Sequence, residues 1–485
     1  MLPGAVYFSV ANLGFLTACR GGDEVMRTNL RTFTRAQAAK TLLSLVPHMS
    51  VDNLIRASRF AEKLTRVERD RETIRLLRQM FEQGHPAVMM AKEVLERLSP
   101  NCRNKLIENL FVNAFLIGTD QREIEMPKSH GFRPPMFVVI SPTMRCNLRC
   151  PGCYAGEYEQ HEGLSTEEVD RIISEVKSMG TYFVTMSGGE IFCRPDMFDI
   201  WQEHSDVYFQ LYTNGTMIDE KTAARLEECG NVAPMISLEG FRERTDARRG
   251  EGTFDRVMQA MDNLREAGVM FGTSFTETRE NMEEIAGDEM IDLLIEKGAM
   301  VAWYFQYIPI GREPHVELMP TPEQRDWLRR RVLELRESKA IFIGDFWNDG
   351  YYVEGCIAGG REYVHINANG DVEPCVFCHF AVDNIRDSSI REALNSDFMK
   401  AIRRRQPYRD NYLTPCMLID EPTVLRDCVA KCHAHPTHEG AETLITDLKA
   451  EIDGYARSYR AIADEAWEKE YAEKNKRRVK SARYS

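Results

Sequence analysis

The sequence predicts an α/β protein built around a partial (β/α)6 barrel of the TIM type. Six short apolar runs of strand length recur between residues 136 and 305, amphipathic helical stretches separate them, and polar or small residues follow most of them. Alternating strand and helix imply parallel βαβ units with right-handed crossovers, and six units fall short of a closed eight-stranded barrel.

The first run, Met136-Phe-Val-Val-Ile140, reads as a buried strand. Behind it comes Cys146-Asn-Leu-Arg-Cys150-Pro-Gly-Cys153. Three thiolates at this spacing can hold three irons of a [4Fe–4S] cluster, since soft sulfur ligands select Fe–S clusters, zinc or Cu(I). The fourth iron is then open to a cofactor or substrate. The loop follows a strand's C-terminal end, where α/β barrels build active sites.

A capping box, Ser165-Thr-Glu-Glu168, opens the next helix, with Val169, Ile172, Ile173 and Val176 as its apolar face. The second strand, Tyr182-Phe-Val-Thr-Met186, ends in Ser187, Gly188, Gly189 and Glu190. The glycines let backbone approach a ligand closely, and the carboxylate can receive a charged amine. Four more strands are expected at 208–212, 233–237, 269–272 and 302–305, ending in Thr213-Asn214-Gly215, Ser237-Leu-Glu239-Gly240, Thr273-Ser274 and Gln306. Asn214 equally suits a turn needing left-handed backbone geometry.

A strand leading into CxxxCxxC, then a strand leading into Gly-Gly-Glu, resembles the radical SAM superfamily over residues from about 131 to 435. The resemblance implies that Cys146, Cys150 and Cys153 bind the catalytic cluster and that S-adenosylmethionine chelates its open iron. It further implies that Ser187, Gly188, Gly189 and Glu190 hold the methionyl part of the cofactor. Asn214, Ser237 and Glu239 become cofactor-side candidates, the last two toward the ribose. The implied reaction is reductive cleavage to a 5′-deoxyadenosyl radical that removes hydrogen from an unactivated C–H bond. Two positions depart from the pattern. Gly152 stands where an aromatic residue often precedes the third cysteine, with Tyr154 following instead, and Ile191 stands where proline usually follows the glutamate.

Thirteen cysteines, an odd count at ligand-like spacings, do not form a disulfide framework and suit a reducing cytoplasm. Cys19, Cys102, Cys193 and Cys229 read as small core residues. Asn369-Gly370 signals a hairpin, and Cys356 followed by Gly370-x-x-x-x-Cys375 resembles the twitch or SPASM extension of radical SAM enzymes. That resemblance implies an auxiliary [4Fe–4S] cluster on Cys356, Cys375 and Cys416, with Cys378, Cys428 or Cys432 as the fourth ligand. The full seven-cysteine SPASM pattern, with its C-x2-C-x5-C run, is not present. Cys432-His433-Ala-His435-Pro-Thr-His438 carries zinc-type ligands, but its irregular spacing favours a loop with locally hydrogen-bonded histidines.

The expected division is an N-terminal extension (1–25), a helical region (26–130), the core barrel (131–312), a connecting helix (313–352), the auxiliary-cluster domain (353–440), and a C-terminal helix with a basic tail (441–485). A Thr34-Arg-Ala-Gln37 box starts the helical region, and Leu54, Ile74, Leu77, Met80, Phe81, Phe111 and Phe115 make it apolar enough to pack on the barrel or to border a greasy substrate. Pro322 sits at the first position of the connecting helix. Leu16-Thr-Ala-Cys19 fits a lipoprotein box, yet no Lys or Arg precedes it and the apolar run is shorter than the ~20 residues of a membrane span. This stretch reads as an extension, with Met26 an alternative start.

A net charge of −13 without a basic, aromatic-laced stripe disfavours nucleic acid as partner. A lipid or hydrocarbon substrate fits the apolar helices somewhat better than a peptide, which SPASM-type maturases modify. Peripheral membrane contact and a ferredoxin or flavodoxin as electron donor complete the expected partners. The rival of another class is an iron–sulfur carrier or zinc scaffold without catalysis.

Overall fold

In the computed structural model the described residues run from 49 to 475, apart from 65–67, 157 and 159–162, with scattered positions between 37 and 45. The N-terminal extension with Cys19, the Thr34 box apart from Gln37, and the basic tail beyond residue 475 lie outside them.

A nine-stranded sheet in the order β7-β6-β5-β4-β3-β2-β1-β8-β9 organises the molecule. Its strands are β1 (Phe137–Ile140), β2 (Phe183–Met186), β3 (Tyr208–Thr213), β4 (Val232–Leu238), β5 (Gly272–Glu277), β6 (Val301–Gln306), β7 (Phe342–Asp345), β8 (His365–Ile366) and β9 (Val372–Glu373). All neighbours from β7 through β8 pair in parallel, and only β9 returns antiparallel. The register sets Ile140 beside Met186, Met186 beside Leu211, Leu238 beside Phe275, and Glu277 beside Gln306. The strands' C-terminal ends therefore gather at one mouth. Among the described residues the two edges, β7 and β9, do not pair with each other, so the barrel is partial and open.

Three features differ from the sequence expectation. The fifth strand begins at Gly272, after the apolar run 269–271, so Thr273 and Ser274 lie inside it. Val269 instead closes the end of the helix Thr253–Ala267, donating its N–H to the Leu264 carbonyl behind a left-handed Gly268. A seventh strand, Phe342–Asp345, follows the Pro322–Ser338 helix, completing one more strand–helix–strand unit within the span expected to be a connector. Finally, β8 pairs with β1, Val139 beside His365, so the auxiliary hairpin continues the barrel sheet.

The N-terminal helices Val51–Leu64, Glu68–Glu82 and Pro86–Arg97 lead to a helical run that opens at Pro100, capped by Ser99. Its central stretch, Leu106–Ile117, is a wide π-type helix, and the run contacts β2 and β3. At the other end the helix Lys449–Glu470 packs on Pro322–Ser338. There the Arg325 guanidinium stacks 3.7 Å above the Tyr459 ring and pairs with Asp420 at 2.6 Å, both charged groups fully buried. A charge so placed is tolerated because it is paired and hydrogen-bonded.

Candidate functional site

The cysteine loop leaves β1 and is clasped by the loop that leaves β2. Ser187, Gly189 and Glu190 donate their N–H groups to the carbonyls of Ile140, Thr143 and Arg145. A β-carbon on Gly189 would lie 2.1 Å from the Arg145 oxygen, and one on Gly188, at φ +107°, 2.5 Å from the Thr143 oxygen. The glycine pair thus serves the chain's own close approach: it lets one loop lie flat against the other.

Glu190 is buried and ties this clasp to the end of β3. Its Oε1 accepts from the Phe192 N–H (3.2 Å) and the Thr213 hydroxyl (2.8 Å), and its Oε2 from the Asn214 N–H (2.8 Å). Burial raises its pKa, and these three donors oppose the rise. A carboxylate offers about four acceptor sites, so one remains for a ligand amine. At the turn expected there, Gly215 takes the left-handed backbone and Asn214 supplies the side chain. Its side-chain oxygen closes a turn with Thr216, while its Nδ2 donates to Asn147 and lies 3.8 Å from the Cys146 sulfur. Ser237 lines the cavity described below, 3.4 Å from the Ser274 hydroxyl. Glu239 is engaged otherwise than its ribose-side reading supposes: its carboxylate accepts from Arg248 (2.7 Å) and Arg249 (2.9 Å).

Those two arginines are the residues that sequence reading missed, and only their place after β4 could have signalled them. Arg248 also donates to the Pro151 and Gly152 carbonyls within the cysteine loop. Burial opposes the charge on Arg249, but Glu239 and the Cys150 sulfur outweigh it and raise its pKa. The Cys150 thiol is raised by burial, against the attraction of Arg249. Cys146 is pushed up to about 11 by partial desolvation, with Glu190, Cys150 and Cys153 adding repulsion. Three crowded thiols facing guanidinium groups suit a centre that takes thiolates, because coordination removes their protons. Aromatic side chains stand on either side of the Gly152 departure. The Tyr307 ring occupies the space a β-carbon on Gly152 would need, and the Tyr154 hydroxyl bonds the Ser187 hydroxyl at 2.6 Å.

The second cysteine set gathers around β8 and β9. Cys375 is electrostatically coupled to Cys356 and Cys378, and Cys416 to all three. Burial pushes Cys375 up to about 12, and the Tyr363 hydroxyl bonds its sulfur at 2.8 Å. Cys428 and Cys432 lie instead one turn apart on the helix Pro422–Cys432, where burial, with Cys432 adding repulsion, raises the Cys428 thiol. A shared local device links both centres: the N–H two residues on donates to the sulfur of Cys146, Cys375 and Cys416, each at 3.4 Å. Hydrogen bonds to cluster sulfurs tune reduction potential. Among the described residues no three His, Cys, Asp or Glu side chains converge on a single ion. A cubane takes each thiolate at a separate iron, so its ligands surround a wider space.

Between the sets runs a buried polar bridge. Glu373 on β9 accepts from Tyr158 (2.7 Å), Thr437 (2.5 Å) and Asn367 (3.0 Å), and bonds His365 Nδ1 at 2.6 Å. His365 Nε2 then meets the Ser141 hydroxyl at 2.7 Å, at the end of β1. His438 bonds His379 at 2.6 Å.

One cavity of about 1070 Å3 borders both cysteine sets, with Cys146, Cys150, Cys153, Cys356, Cys375 and Cys416 on its wall. Serine and both glycines of the β2 loop, Glu190, Asn214, Arg248 and Arg249 line it as well.

The profile described as "Radical SAM superfamily" matches residues 140–288, and the "SPASM: Iron-sulfur cluster-binding domain" matches 356–428. The chain is 34% identical to the Fe-coproporphyrin III synthase of Methanosarcina barkeri over 36% of its own length and 45% of that protein's. It is 31% identical to the mycofactocin maturase MftC of Mycobacterium tuberculosis, covering 57% of this chain and 74% of that one. Identity to the PqqA peptide cyclase of Rhizobium meliloti is 29%, over 53% of this chain and 72% of that one.

Proposed function

The chain belongs to the radical SAM superfamily and carries a SPASM iron–sulfur domain, and we propose that it cleaves S-adenosylmethionine reductively and abstracts hydrogen from a substrate held between two clusters. When bound, a [4Fe–4S] cluster with one open iron would supply the electron for reductive cleavage of the cofactor. Cys146, Cys150 and Cys153 would hold that cluster. The free acceptor site of Glu190 would take the methionyl amine, and Arg249 the carboxylate, since buried guanidinium and carboxylate pair strongly. Ser237 would lie toward the ribose. Glu239 would act at one remove, by holding both arginines against the cysteine loop. Cys356, Cys375, Cys378 and Cys416 would hold the auxiliary cluster, and a small reductase of the ferredoxin or flavodoxin kind would deliver electrons.

The observation that carries this reading is the clasp of the CxxxCxxC loop by the Gly-Gly-Glu loop at the mouth of a cavity that also reaches the second cysteine set. For the substrate, the peptide cyclase among the relatives supports peptide modification better than the hydrocarbon substrate favoured from sequence. The apolar cavity wall keeps the hydrocarbon reading as the second. Among the described residues no helix is long and apolar enough to cross a membrane.

The test is anaerobic reconstitution with iron and sulfide, then dithionite, S-adenosylmethionine and chromatography for 5′-deoxyadenosine. Wild-type protein is expected to form it. Cys150→Ala should form at least about 100-fold less, the upper end of what losing a mere outer-shell partner costs. A wild type that forms none, or a variant that matches it, overturns the reading.

A further inference from the structure

We propose that the lower half of the cavity is a pocket for the straight hydrocarbon chain of an acyl lipid, built by the N-terminal helices under the barrel; the proposal rests on the radical chemistry assigned to the cysteine mouth. The cavity does not stop at the cysteines. It passes down the strands to their N-terminal ends, at Phe183, Tyr208, Val301 and Phe342, and on to Leu77, Phe81, Leu110 and Phe115 in the helices beneath.

Barrels of this type normally fill their interior with layers of bulky branched side chains. Here Ala233, Ser237 and Gly344 open space among bulkier lining residues such as Met235, Trp303 and Phe305. At Gly344 a β-carbon would lie 2.3 Å from the Trp303 ring, so the indole borders the opening where a side chain would otherwise stand. The floor is the π-type helix Leu106–Ile117, which turns Leu106, Leu110, Phe111 and Phe115 toward the cavity. Such helices are rare and concentrate at functional sites.

Polarity is graded along the wall. Near the cysteine mouth stand Arg248, Arg249, Glu190 and the unpartnered polar atoms of Gln306 and Trp347. Lower down, Gln210 donates to the Tyr212 hydroxyl and the Tyr208 hydroxyl faces Met270 sulfur. Below the mouth the wall also carries Thr185, Lys92, which pairs with Glu96, and Trp303 Nε1, which among the described residues is buried without a hydrogen-bond partner midway along β6. A peptide backbone threaded here would leave amides buried without partners, at about 1–3 kcal/mol each, whereas a hydrocarbon chain loses nothing. Length agrees too. The six residues of β6 span about 20 Å, comparable to the ~15 Å that one acyl chain covers in half a bilayer core.

The test is equilibrium dialysis of radiolabelled hexadecanoate, below its micellar concentration, against the anaerobically reconstituted full chain, with decanoate, dodecanoate and tetradecanoate as competitors. Saturable binding is expected, with competitor affinity rising about fourfold per added methylene. Leu110→Glu, which sets a charge on the floor, should weaken binding at least about 10-fold. Met89→Glu, an exposed position beside the pocket, should bind as wild type. Should Leu110→Glu fail to fold, Val94→Phe shrinks the same space without charge and should weaken hexadecanoate more than decanoate. Absence of saturable binding, no dependence on chain length, or a Leu110→Glu or Val94→Phe protein that binds as wild type overturns the pocket. Failure to form 5′-deoxyadenosine without lipid would sink the radical reading alone, leaving the dialysis result to stand or fall by itself.

Discussion

At the scale of single residues, Glu190 shows how one side chain joins sequence motif, fold and cofactor. Three buried donors converge on its carboxylate. Glutamine presents one acceptor oxygen with two sites, so Glu190→Gln strands at least one of them, at about 1–3 kcal/mol. The variant should therefore melt earlier, and its S-adenosylmethionine requirement should rise at least about 10-fold, or ~1.4 kcal/mol of binding. A lower melting point with unchanged cofactor dependence would leave Glu190 as a loop brace. The acid was legible in the sequence. Its donors were not, because Thr213 and Asn214 come from the next strand and only pairing brings them near. The same holds for Glu239, whose two arginine partners lie one helix later.

At the scale of elements, three cysteine loops repeat one device, an N–H to sulfur bond from two residues on, at the ends of β1 and β9 and before Asp420. The Cys416 N–H is itself held by Asp420, the partner of the buried Arg325, so the loop hangs on the joint between the Pro322–Ser338 and Lys449–Glu470 helices. Replacing Cys146, Cys150 and Cys153 together by alanine should leave about four irons per chain after reconstitution, one auxiliary cluster's content. Adding Cys416→Ala should remove them, while adding Cys428→Ala should not; iron and sulfide assays decide. Spacing pointed to the first cysteine motif directly because its ligands share one loop. It left the fourth auxiliary ligand open because Cys378, Cys428 and Cys432 differ in three-dimensional position, not in type.

At the scale of the whole molecule, the parallel strands end at one mouth and the helices outside them bury charge. Glu277, at the end of β5, is fully buried, and among the described residues neither of its oxygens has a hydrogen-bond partner. Burial, with Asp345 nearby, raises its pKa well above the usual carboxylate range. Asp345 itself is pushed up to about 6 by burial. A raised folded-state acid binds more protons than the unfolded chain, so stability falls as pH climbs from about 4.3 toward the folded value. Glu277→Gln should therefore gain on wild type by up to about 1.4 kcal/mol per pH unit above that point. Melting curves of both proteins between about pH 5 and pH 8 check it, and a pH-independent difference would refute it. By itself the sequence determined the alternation of strand and helix, the CxxxCxxC and Gly-Gly-Glu motifs, and the cysteine-rich second half, because each is local in the chain. Only the tertiary structure decided that β7 and the auxiliary hairpin extend the barrel sheet, that Arg248 and Arg249 face the cysteine loop, and that one cavity joins both cysteine sets to the helices beneath. Those depend on strand pairing and on space left by small side chains, which no stretch of sequence carries alone.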